Sequence, residues 1–101
     1  MSTTTLPNRT AAVAALQRAS QTFNRYAGPG EWTVDGRGRN FIALIFTCRM
    51  ADLPDNFTGD DPWDRCGGED ILASAHLGSD RTMSGNDSGY FFASAIIFVA
   101  E

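Results

Sequence analysis

The chain has no lysine, one histidine, two cysteines and four prolines among its 101 residues. Without lysine, the Gly-Lys-Ser/Thr ending of a phosphate-binding loop is absent, and the glycines between positions 78 and 89 lack its spacing. His76, Cys48 and Cys66 supply three zinc-ligating side chains in no recognised spacing. The longest apolar stretch, Tyr90 to Ala100, falls far short of the roughly 20 residues needed to span a bilayer, so no membrane span is expected. Met1 to Pro7 shows no basic stretch followed by an apolar run, so a secretory signal is not read there. A cytoplasmic protein is the expectation, with Cys48 and Cys66 as free thiols although the 17 residues between them would permit a bridge. The N-x-S/T triplets at Asn8, Asn56 and Asn86 then carry no glycans.

What remains is ordinary globular material. With 43% hydrophobic residues, the chain reads as a single α+β domain over 1–101, with residues 1–7 as a flexible tail. A chain of this size buries about two-thirds of its unfolded surface, enough for one core without metal or disulfide support. Its net charge is −4, unevenly spread. Residues 1–50 carry six Arg against Glu31 and Asp35, a balance of +4. Residues 51–70 carry seven carboxylates against Arg65, a balance of −6, and the remainder stands at −2. No dense basic stripe exists and the net sign is wrong, which excludes double-stranded nucleic acid as a direct partner.

The first element is a helix. Asn8 or Thr10 can cap it, the run Ala11, Ala12, Ala14, Ala15, Ala19 favours it, and Gly28-Pro29-Gly30 ends it. Val13, Leu16, Phe23 and Tyr26, with Ala12, Ala19 and Ser20, form one apolar stripe that covers a sheet face.

Four strands are expected after it. Glu31 to Asp35 is a short strand, and Asp35-Gly36 turns the chain into a second from Asn40 to Met50. Apolar residues occupy both parities of that second segment, so it is a central strand. One face meets the helix; the other needs cover from a loop, a bent sheet edge or another subunit. Asp70 to Leu77 and Tyr90 to Val99 complete an antiparallel α-β-β-β-β arrangement, with sequential pairing as the default order. Ala73-Ser74-Ala75 and Ala93-Ser94-Ala95 offer small surfaces against the Ala-rich helix.

Between strands two and three lies a long acidic loop, the 19 residues Ala51 to Glu69. Phe57 and Trp63 can pin it over the uncovered sheet face, or form an aromatic anchor among Asp60, Asp61, Asp64, Arg65 and Glu69 for a partner with a basic surface. The polar stretch Gly78 to Gly89 reads as a second loop, and Asp80 and Arg81 join the interaction set. An EF-hand starting at Asp60 fails, with Pro62 at its third position, Arg65 at the glycine and Ile71 at the bidentate glutamate. A looser oxygen site using Asp60, Asp61, Asp64 and Glu69 stays open. Gly36-Arg37-Gly38 runs into a strand rather than a helix, so no dinucleotide fingerprint is present and no cofactor is expected.

A catalytic set would need Cys66 as nucleophile, His76 as base and Asp64 or Asp80 as orienter. No motif supports it, and acidic neighbours raise the Cys66 thiol pKa. His76, flanked by Ala75 and Leu77, reads as a structural residue on a strand. The expectation is therefore a small non-catalytic protein acting through protein-protein contacts, an accessory or inhibitor protein that self-associates as a homodimer. Two alternatives stay open beside the small-enzyme reading: an acidic nucleic-acid-mimicking inhibitor of a DNA- or RNA-binding enzyme, and a structural assembly component.

Overall fold

The structure is a computed structural model, and it describes residues 6–26 and 30–100. Helix α1 runs Arg9–Tyr26, followed by strands β1 Glu31–Asp35 and β2 Phe41–Arg49. A 3-10 turn at Met50–Asp52, helix α2 at Asp61–Asp64 and helix α3 at Gly68–Ser74 lead to strands β3 Asp80–Asp87 and β4 Tyr90–Phe98. All strand pairs are antiparallel, in the order β1-β2-β4-β3. The expected helix on a four-stranded antiparallel sheet is therefore present.

Asn8 caps α1, its Oδ1 accepting from the Ala11 amide at 3.1 Å. Ala12, Leu16 and Ser20 are buried and Val13, Ala19 and Phe23 half-buried, as expected of the stripe, while the side chain of its last member, Tyr26, lies outside the described part of the structure. Gly28-Pro29, the expected stop, and residues 1–5 of the expected tail lie outside the described residues. Pro7, in the same expected tail, accepts a hydrogen bond from the Ala100 amide at 3.0 Å.

Two segments exchange roles relative to the sequence reading. Asp70 to Leu77, expected as the third strand, holds most of helix α3. Ile71 and Leu72 are buried, Ala75 and Leu77 half-buried, and Glu69 and Asp70 sit in the first turn, where the helix dipole favours carboxylates. Its end is a Schellman motif: His76 N–H donates to the Ala73 carbonyl and Leu77 N–H to the Leu72 carbonyl, both at 3.1 Å. His76 thus occupies the left-handed position after the helix, at φ 57°, and not a strand. The third strand is instead Asp80–Asp87, inside the stretch expected as a loop. It is an edge strand with a bulge between Arg81 and Met83, and polar residues suit an edge that must not template further pairing. Asp87-Ser88-Gly89-Tyr90 closes the β3–β4 hairpin, with Ser88 at φ 53° and Gly89 at φ 82° as a two-residue primed turn requires.

The pairing is not sequential, because β4 inserts between β2 and β3. Nor is 51–69 one long loop, since the 3-10 turn, α2 and the start of α3 fall within it. Trp63 is buried, its ring centroid 5.2 Å from that of Trp32, and the Trp32 indole N–H donates to the Cys66 carbonyl at 2.9 Å. Phe57 packs on Phe46 and Phe91. These contacts seat the segment beside α1, on the sheet face that carries Trp32, Leu44, Phe46, Ala93 and Ala95.

Candidate binding surface

The strand period of two separates the faces of the sheet. In β2 the residues Ile42, Leu44, Phe46 and Cys48 are buried, whereas Phe41, Ala43, Ile45 and Thr47 are half-buried and point the other way. In β4 the buried set is Ala93, Ala95 and Ile97, and the opposite set is Tyr90, Phe92, Ser94, Ile96 and Phe98. Register joins the second sets into one surface: Phe41 faces Phe98, Ala43 faces Ile96, Ile45 faces Ser94 and Thr47 faces Phe92. Thr33 of β1 lies beside Ile45, and Gly85 of β3 beside Phe92. Helices α1, α2 and α3 contribute to the core on the other side, so among the described residues no element of the chain covers this face.

Two of its aromatic rings rest on glycines. A Cβ on Gly38 would come within 2.6 Å of the Phe41 ring, and one on Gly85 within 3.4 Å of Phe92. Bare backbone lets each ring lie close to the surface, which flattens it. Tyr90 and Phe98, at opposite ends of β4, are 52% and 50% exposed, a large apolar investment left in water. Charge is confined to the margin. Glu31 and Asp35 stand along β1, Arg49 at the end of β2, and Asp80, opposite Ile96, and Asp87 at the two ends of β3. The Asp35 carboxylate accepts from the Arg37 side chain at 3.0 and 2.9 Å and from its amide at 3.0 Å. That contact holds the Asp35 pKa down, at about 2.

The acidic segment is organised differently from its sequence reading. Asp61 is buried; Thr58 donates to it from backbone at 2.8 Å and from hydroxyl at 3.3 Å, and the Arg65 guanidinium pairs with it. The Arg65 hydrogen bond, then the Thr58 amide, lowers its pKa. Asp61 and Trp63 thus have structural partners within the chain, and Phe57 is half-buried against Phe46 and Phe91. Asp60, Asp64, Arg65, Glu69 and Asp80 are exposed, and the side chain of Arg81 lies outside the described part of the structure. No group of three or more His, Cys, Asp or Glu comes together to hold a metal among the described residues.

No protein-family model, curated protein or solved structure matches this chain.

Cys48 and Cys66 are thiols and not a disulfide pair. Burial raises the Cys66 thiol pKa first and the Asp61 charge raises it further, against a smaller opposing pull from Arg65. A thiol so placed is a poor nucleophile at neutral pH. His76 and Asp80 line a cleft of about 450 Å³ together with Leu6, Pro7, Leu77 and Phe98; Cys66 does not line it. The outward residues Phe41, Ile45, Phe92, Ile96 and Phe98 were absent from the sequence-derived interaction set. Their signal was the double-parity apolar pattern of Asn40 to Met50, which implied an uncovered face without naming its members.

Proposed function

We propose that this is a non-catalytic protein that acts by protein-protein contact, and that the open face of its sheet makes the contact. The observation that supports this is the continuous apolar surface built by Phe41, Ile45, Phe92, Ile96 and Phe98, free of charge at its centre. Large exposed apolar patches with polar margins mark interaction sites on soluble domains. Affinity purification of the tagged protein and of an Ile96→Glu variant tests the reading. A stoichiometric partner, identical or foreign, should be retained by the wild type and lost by the folded variant; equal retention would refute it.

A second reading has its own support. Asp52, Asp55, Asp60, Asp64, Glu69 and Asp70 are all exposed on the helical layer, an array suited to a partner with a basic surface, including a nucleic-acid-binding enzyme inhibited by charge mimicry. Association through it would slow steeply with added salt, whereas contact through the apolar face would not.

A further inference from the structure

We propose that the occupant of the open face is a second copy of this chain, packed sheet against sheet to give an eight-stranded sandwich with a helical layer on each outer side. The inference deepens the reading of that face as the contact surface, and rests on it. Four observations converge on a second copy.

The first is area. Strands of five, nine, eight and nine residues, about 4.8 Å apart and rising about 3.3 Å per residue, make a face of roughly 490 Å² per copy before side-chain relief. Two such faces together come to about 1,000 Å², above the range of casual contacts, and side-chain relief carries the pair toward the roughly 1,200–2,000 Å² that specific interfaces bury.

The second is shape. A sheet face matches another twisted sheet face, the two packing about 10 Å apart with strands inclined by about 30°. The rings of Phe41 and Phe92, laid on Gly38 and Gly85, keep the surface low enough for such packing.

The third is charge. Thr33, Ala43, Ile45, Thr47, Phe92, Ser94 and Ile96 put no ionised group at the centre, so a strongly basic or acidic partner would find nothing there to pair with. The margin carries both signs, Glu31, Asp35, Asp80 and Asp87 beside Arg49, and an identical copy brings its own Arg49 to set against those carboxylates.

The fourth concerns the edges, the other way a sheet recruits a partner. At β1 the Asn24 side chain already takes the outward backbone groups of Trp32, accepting from its N–H at 2.8 Å and donating to its carbonyl at 3.0 Å. At β3 a bulge and a polar sequence spoil the ladder. Strand addition is disfavoured on both edges, which leaves the face.

The test is sedimentation equilibrium of the whole chain from about 1 to 300 μM, for wild type, Ile45→Glu and Thr47→Lys, with circular dichroism on each and binding of an anilinonaphthalene sulfonate dye. Thr47→Lys is the fold-preserving arm, because the new ammonium lies opposite Glu31 across the strand pair. The expected result is a wild-type dimer with little dye binding and at least a hundredfold weaker association in both variants, since each change enters a two-fold interface twice. A wild type that stays monomeric at 300 μM yet binds dye in a manner abolished by Ile45→Glu overturns the second copy and leaves the face as a site for another protein. A dimer unchanged in both folded variants overturns the proposal and the face assignment together.

Discussion

A methyl group added at Gly68 gives a severe trial of the core geometry. At the first position of α3, Gly→Ala ordinarily favours a helix by up to about 1 kcal/mol. Here a Cβ would stand 2.5 Å from Trp63 Cε3, 2.8 Å from Trp32 Cη2 and 2.9 Å from Trp32 Cζ2. Carbon atoms in contact prefer about 3.5–4.0 Å, so two buried indoles must move, and neither is the free end of a flexible chain. Overpacking of this kind costs about 1–3 kcal/mol, which outweighs the propensity gain. Gly68→Ala should therefore lose about 1–2 kcal/mol, a Tm fall of roughly 4–16 °C for a domain of this size. Gly78→Ala is the matched control: nothing lies within 4 Å of its Cβ, and the change should be neutral or slightly stabilising. Urea unfolding followed by tryptophan fluorescence reads both, since Trp32 and Trp63 are buried. Gly68→Ala as stable as the control would mean that the two indoles do not enclose this glycine, and the seating of α2 and α3 would be wrong.

Three further outcomes follow from the same geometry. His76→Gly should stabilise by about 0.5–1 kcal/mol in chemical denaturation, because glycine accepts the left-handed conformation that histidine adopts at φ 57°. Trp63→Ala should cost about 3–5 kcal/mol in the same assay, as a core truncation does, whereas an exposed anchor would cost almost nothing. The Asp35 carboxyl should titrate at about 2 by NMR and move up toward 3.8 in Arg37→Ala. Its folded pKa is depressed, so whatever stability the contact adds is complete above the unfolded carboxylate value and is lost as pH falls through about 2.

The parts of the fold legible in the residues were those with strong periodicity or density. Helix α1 showed its stripe and its cap at Asn8; β1, β2 and β4 stood out through β-branched and aromatic residues. Ile71-Leu72 was not decisive, because a short apolar run fits a buried helix turn as well as a strand, and the first-turn Glu69 and Asp70 with the Gly67-Gly68 entry were the cues for helix. Strand β3 was hidden for the opposite reason. An edge strand gains from being polar, so Asp80–Asp87 carries a loop-like composition while pairing along β4. The sheet order was illegible because nothing local distinguishes β4 beside β2 from β4 beside β3 alone. Acidic residues drew attention to 51–69, yet Asp61 serves Thr58 and Arg65 and Trp63 serves the core.

Placing β4 between β2 and β3 also has a kinetic consequence. Each hairpin closes over a short stretch of chain, but their junction pairs Phe41 with Phe98 and Arg49 with Tyr90, across the intervening helices. Closing so long a loop costs entropy before any reward arrives, so the rate-limiting barrier to folding belongs at this seam. Substitutions along it should slow refolding, while those in the β3–β4 turn should mainly hasten unfolding.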